Sequence, residues 1–205
     1  MHFGSAVMMI TLFASAISFA QTELNQEELD AKKVIEEGYK IKLARQEEAQ
    51  WAAEAEKTRA EKNKKAGEAF LAENKTKEGV VTLPSGLQYK ILRHGDGPVP
   101  TETDIVEINY RGTLINNSEF DSSARHQRSS ILAINRVIRG WQEALTLMPV
   151  GSKWRLFVPP DLAYGEKGFL AVEPNAVVIF EIELVDILRS EKSKGRFPTN
   201  NPESR

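Results

Sequence analysis

The side chains best suited to chemistry in this sequence are aromatic. Tyr110 stands in INYRG, Phe120 and Asp121 in EFDSS, Tyr164 in AYG and Phe180 in VIFEIE. The stretch RVIRGWQEAL runs two branched aliphatics, Val137 and Ile138, into Gly140 and then places Trp141 at a helix start. An indole there has two readings, a plug for the core or the floor of a pocket, because it offers a large rigid apolar surface with one N–H. Other chemistries lack their parts. Cysteine is absent, which excludes disulfides, thiolate nucleophiles and thiolate metal sites. The three histidines, His2, His94 and His126, are far apart in sequence, so no metal centre and no cofactor are expected. There is no Ser–His–Asp set and no phosphate-binding glycine loop. With 27 basic and 29 acidic residues and no long basic run, nucleic acid is not an expected partner.

The elements that must position these residues lie between Val80 and Leu188, where strand-like runs alternate with turn chemistry: GLQYKILR, HGDGP, DIVEINYRGTL, INNSEF, KWRLFVP and AVVIFEIELVDIL. In the last run Val178, Phe180, Ile182 and Leu184 share one face, with Val177, Ile179, Glu181 and Glu183 on the other. That period of two predicts a sheet with one buried face. One segment has an apolar helical stripe: in GWQEALTLM, Trp141, Ala144, Leu145 and Met148 fall at i, i+3, i+4 and i+7. The expected class is α+β, one sheet covering one short helix. Trp154 is expected in the sheet core.

The flanks differ in composition. Residues 1–20 carry no charged side chain, and the apolar run from Ala6 to Phe19 is short for a membrane span. With Ser18-Phe19-Ala20 as a small-x-small site, they read as a signal peptide cleaved before Gln21, although the n-region lacks Lys or Arg; a retained N-terminal anchor is the alternative. Residues 21–78 are rich in Ala, Glu, Lys, Gln and Arg without proline, which predicts a long helical stalk with exposed pairs such as Glu61–Lys65. Val34 and Ile41 are seven apart, but no heptad is sustained, and Trp51 is expected to serve as a stalk contact. Residues 189–205 are polar and broken by Pro198 and Pro202, which predicts a disordered tail.

Taken together, VEINYRGTLINNSEFDSS, VIRGWQEALTLMPVGSKWRLFVPPDLAYG and EPNAVVIFEIELVDI resemble the FKBP-type peptidyl-prolyl isomerase domain, through about 110 residues. The upstream GEAFLAENKTKEGVVTLPSGLQYKIL further resembles the exported, macrophage infectivity potentiator (Mip)-like branch of Gram-negative bacteria. The resemblance implies a twisted antiparallel sheet wrapped on one short helix over residues 79–188, preceded by a helical stalk. It also implies a pocket. Tyr110, Phe120, Val137 and Phe180 form its walls, Trp141 its floor, the Ile138 N–H and the Tyr164 hydroxyl are donors to the substrate, and Asp121 is the pocket acid. Asp121 has a plainer alternative, capping its turn through Ser122 or Ser123. In a pocket role, Arg125 and His126 are unranked candidates to hold it.

The chain departs from the family pattern twice. Leu132 stands where relatives often have an aromatic, which is expected to weaken macrolide binding more than catalysis. The loop GEKGFLAVEPN differs from the usual Pro- and Gly-containing segment, with Val172 the best match for the family's apolar contact. The implied partners are unfolded or partly folded proline-containing proteins, macrolide inhibitors of the rapamycin type, and a second copy through residues 25–75. The implied setting is periplasmic or outer-membrane-associated. Two other classes compete with the isomerase: a periplasmic holdase working through the helical arm with incidental isomerase activity, and a non-catalytic docking module. The complete pocket set argues against the last.

Overall fold

Asn25 starts the first helix with a reciprocal cap. Its side chain accepts from the Glu28 N–H (2.9 Å), and the Glu28 carboxylate accepts from the Asn25 N–H (3.0 Å), so two orphan donors are satisfied at once. From there α1 runs Gln26–Asn74. This computed structural model describes residues 25–126 and 128–189, apart from the side chains of His126 and Arg189; the expected signal peptide and the tail beyond Arg189 lie outside the described residues.

The chain divides into two units, one ending at Ala53 and one beginning at Glu54. Within the first, the described helix residues are all exposed, including Trp51, and Glu36–Lys40 is paired at 2.8 Å. The expected Glu61–Lys65 pair is not closed among the described residues; the other i,i+4 pair is Glu73–Lys77 at the helix end.

The second unit holds a seven-stranded sheet: β1 Val80–Thr82, β2 Gln88–Arg93, β3 Ile105–Leu114, β4 Glu119–Ser122, β5 Ser130–Ala133, β6 Lys153–Val158 and β7 Val178–Arg189. Their order is β1-β2-β6-β7-β3-β4, all antiparallel, with β5 paired to β3 beyond β4 along the same edge. The sheet wraps α2, Arg139–Leu145. The stripe behaves as its spacing requires, with Trp141, Ala144, Leu145 and, in the following turn, Met148 all buried against the β6 and β7 faces. Val178, Phe180, Ile182 and Leu184 are buried together, as the period of two predicts. Trp154 is core as expected, and its ring stacks on Tyr89 at 4.3 Å.

One expectation needs amending. The opposite face of the sheet is not wholly open: Val177 is buried because α1 lies against it at Gly67, where a Cβ would sit 2.7 Å from the Val177 methyl. Phe70 meets Phe157 at 5.9 Å, and buried Asn74 donates to Gln88 Oε1 (2.9 Å). Gln88 Nε2 in turn donates to Leu71 O, a carbonyl that also accepts from the Lys75 N–H. The last turns of α1 are therefore packed on the sheet. Glycine, phenylalanine and asparagine at these spacings leave little trace in a hydrophobic pattern.

Candidate active site

Register sets the site. Gly112 of β3 pairs with Asp121 on one side and Phe180 on the other, so β4, β3 and β7 deliver one row of side chains to the face that α2 covers. Strand alternation would send Phe120 and Asp121 to opposite faces. A bulge prevents this: Gly112 faces Asp121 but Thr113 faces Glu119, leaving Phe120 as the extra residue. Both side chains then turn to the same face, the ring toward Phe180 and the carboxylate toward Tyr110. Gly112 makes room for them, since a Cβ there would lie 2.7 Å from Phe120 and 2.8 Å from Phe180. Hydrophobic patterning misses this glycine, although a glycine inside a strand pattern is a known signal of close approach.

Trp141 forms the base. Tyr110 and Phe180 meet it edge-on, with centroids at 5.1 and 4.9 Å, and Phe120 meets Phe180 (5.6 Å) and Tyr164 (6.3 Å) in the same manner. These edge-to-face contacts suit the ring quadrupoles. Helix α2 can start so close to β6 only because residue 140 is glycine; a Cβ would be 2.5 Å from Val158. Trp141 is buried like a core residue, and the Tyr110 and Phe180 rings converge on it.

The polar groups are few. The Tyr110 hydroxyl donates to Asp121 Oδ2 at 2.7 Å. Among the described side chains, the other neighbours of Asp121 bond elsewhere: Ser122 to Glu119, Ser123 to the Tyr110 backbone, and Arg125 to the Phe120 and Glu119 carbonyls. The His126 side chain lies outside the described ones. Burial, then the hydrogen bond to Asp121, pushes the Tyr110 hydroxyl above the usual tyrosine range; burial, then the Asp121 charge, pushes Tyr164 up. Gln142, on the first turn of α2, donates to Val137 O at 2.7 Å and holds the 137–138 turn. Among the described residues, neither the Ile138 N–H nor the Tyr164 hydroxyl has a protein acceptor, and the indole N–H of Trp141 is unpartnered.

Of the residues expected to line the pocket, Tyr110, Phe120, Leu132, Val137, Ile138 and Tyr164 are half-buried and packed against the hydrophobic core that includes Trp141 and Phe180. Val172 is different. It is 3% exposed and part of the core beneath its loop, and the ring stacked on Tyr164 at 5.7 Å is that of Phe169. The opposite face carries two open hollows of about 520 and 410 Å³, where Lys153 and Arg155 are paired with Glu181 and Arg111 with Glu119. No comparable ring of aromatics lines them. The arrangement on the α2 side is a set of converging aromatic rings with two unspent donors and no metal-binding cluster among the described residues.

Comparison with known proteins agrees with this geometry. A family model for FKBP-type peptidyl-prolyl cis-trans isomerase matches residues 97–185, and one for the domain amino terminal to FKBP-type peptidyl-prolyl isomerase matches residues 8–91. The outer membrane protein MIP of Legionella longbeachae is 42% identical over 175 residues, covering 85% of this chain and 72% of that protein. FkpA of Aeromonas hydrophila, an FKBP-type peptidyl-prolyl cis-trans isomerase, is 47% identical over 135 residues, 66% of this chain and 50% of its own length. The crystal structure of FkpA from Escherichia coli superposes with a TM-score of 0.68 at 30% identity, covering 89% of this chain and 82% of that one. With both family models matched and the sheet, helix and aromatic floor in place, the chain belongs to the FKBP-type peptidyl-prolyl cis-trans isomerase family.

Proposed function

We propose that the cleft over Trp141 accelerates rotation about Xaa-Pro peptide bonds in unfolded or partly folded polypeptides. The barrier to that rotation is roughly 18–20 kcal/mol, although cis and trans differ by only about 0.5–1 kcal/mol. At the barrier the amide is twisted, conjugation is lost, and the group is less charge-separated than the planar amide. A dry cleft of aromatic rings therefore disfavours the planar ground state more than the twisted form, and only such differential binding speeds the step. No nucleophile and no proton transfer are needed. The Ile138 N–H and Tyr164 O–H hold carbonyls flanking the proline, and the Tyr110–Asp121 pair fixes one wall.

The observation that carries this reading is the edge-on packing of Tyr110 and Phe180 against Trp141, beside two donors without protein partners. The names of the relatives favour the isomerase over the holdase. The test is cis–trans exchange of a short Leu-Pro-Phe peptide, followed by NMR with the full chain and with Tyr164→Phe. Acceleration that falls with the substitution supports the reading. A folded protein that leaves the exchange rate unchanged refutes it.

An exported setting is part of the proposal. It is supported by the uncharged, small-x-small composition of residues 1–20 and by a relative named as an outer membrane protein. No helix among the described residues is long and apolar enough to cross a membrane. A mature chain that begins at Gln21 when recovered from a periplasmic fraction fits this setting, and an uncleaved cytoplasmic chain contradicts it. Binding of rapamycin-type macrolides by the same cleft is proposed on the same grounds, with affinity reduced by Leu132 in place of an aromatic.

A further inference from the structure

The loop after Tyr164 ends in a miniature hairpin. Phe169 and Val172 exchange two backbone hydrogen bonds of 2.8 Å, which leaves Leu170 and Ala171 at the tip. Leu170 is 91% exposed and has a φ of 49°; Phe169 is 59% exposed and stacked on Tyr164. A leucine at positive φ is uncommon and persists only where its surroundings hold it. Here Gly168, at φ 68°, lets the chain pass against the Val172 carbonyl where a Cβ would collide, and buried Val172 anchors the hairpin from below.

Helix α1 supplies a further hold. Asn63 Nδ2 donates to both Glu173 Oε2 and Pro174 O, each at 3.0 Å, so both amide hydrogens are used. Arg59 Nε stands 3.7 Å from Glu173 Oε1, an exposed pair of small weight. Asn63 is one turn before Gly67, where the helix is seated on Val177. The same helical surface thus touches the sheet and the base of the hairpin.

We infer that Asn63 is a positioning residue for substrate binding: by clamping Glu173 and Pro174 it holds Phe169 and Leu170 beside Tyr164 as an apolar lip. The lip suits extended polypeptide with large apolar side chains flanking the prolyl bond. This inference rests on the isomerase reading of the cleft. It gives the folded end of α1 a part in catalysis that touches no reacting atom.

The test compares the full chain with Asn63→Ala, with Glu173→Ala from the other side of the clamp, and with Lys64→Ala on the exposed side of the helix. Each is assayed on a tetrapeptide with alanine before proline and on an eight-residue peptide with leucine and phenylalanine flanking the prolyl bond. Amide resonances of residues 168–173 are followed in parallel. Asn63→Ala and Glu173→Ala are expected to shift those resonances and to raise KM for the long peptide by about threefold to tenfold, the scale of one or two lost hydrogen bonds. The short peptide and Lys64→Ala are expected to stay within about twofold of the wild type. Should the loop resonances of both clamp variants superpose on the wild type, or the two peptides lose rate equally, the inference is overturned while the isomerase reading stands. A wild-type chain that accelerates neither peptide overturns both.

Discussion

Tyr110 and Asp121, eleven residues apart, meet through a 2.7 Å hydrogen bond, and the bulge at Phe120 lets the adjacent ring share their face. Without the extra residue, either the ring or the carboxylate would face away from the cleft. Tyr110→Phe should therefore leave a half-buried carboxylate short of a donor, at a cost of about 1–3 kcal/mol. The expected loss in kcat/KM is about tenfold, since each 1.36 kcal/mol of transition-state stabilisation is a factor of ten. A double-mutant cycle with Asp121→Ala measures the coupling directly. Additive effects on both stability and activity would show that the bond does not act as a unit.

Gly112 predicts a second effect. Alanine at this position must displace the Phe120 or Phe180 ring, which lie 2.7 and 2.8 Å from the added carbon. Overpacking of this kind costs about 1–3 kcal/mol. Gly112→Ala should lower the melting temperature and weaken peptide turnover together, because the same rings wall the cleft. Calorimetry and exchange NMR on the one variant check this, and an unchanged protein would mean the rings shift freely.

Much of the site is legible in the amino-acid sequence, and the reason is periodicity. Val178 to Leu184 alternate cleanly, and Trp141 to Met148 follow a helical stripe, so residue type alone places the buried face of the sheet and the helix it covers. Three features escape such a reading. The bulge at Phe120 has no sequence mark beyond a break in alternation. Gly67 and Asn63 act by the absence of a side chain and by two amide hydrogens, neither of which registers as hydrophobicity. The burial of Val172 beneath its own loop follows from the curl of the chain at Gly168, which is not written in residue types.

Protonation supplies a third prediction. Burial raises both Tyr110 and Tyr164, so the folded protein keeps these protons at a pH where an unfolded chain releases them. The unfolded state then binds fewer protons than the native one, and stability falls as pH rises above about 10, the ordinary tyrosine value. Below that value the contribution is fully present. Between pH 6 and 8 turnover is expected to be flat, since no step transfers a proton. A stability profile by denaturant titration from pH 7 to 11 and a rate profile from pH 6 to 8 give the two checks. A steep inflection in rate near neutrality would contradict the proposed mechanism.

The border within α1 leads to a fourth. Gln88 is buried and bonds both Asn74 and Leu71 O, so the end of the helix is built into the sheet. Gln88→Ala leaves the buried Asn74 amide without its acceptor, while Leu71 O keeps the Lys75 N–H, with an expected cost of about 1–3 kcal/mol. Removing residues 25–53 should leave the melting temperature of the isomerase unit unchanged, whereas removing residues 25–74 should lower it. Equal melting temperatures for the two truncations would restore the border near residue 78.

The first unit of the chain motivates the last prediction. Val34, Ile35, Tyr39 and Trp51 are 67–76% exposed on a helix rich in charged residues. We propose that residues 25–75 pair two copies of the chain. Covering four such side chains removes apolar area worth roughly 25 cal/mol per Å², which must outweigh the cost of bringing two chains together. The seam is short of a sustained heptad, so association should be concentration-dependent rather than permanent. Sedimentation velocity over a hundredfold concentration range is the measurement. The full chain should shift toward twice the monomer mass as concentration rises, Trp51→Ala should need more protein to do so, and the chain lacking residues 25–53 should stay monomeric. Monomer mass for the full chain at every concentration would leave these residues without a second copy to cover them and end the proposal.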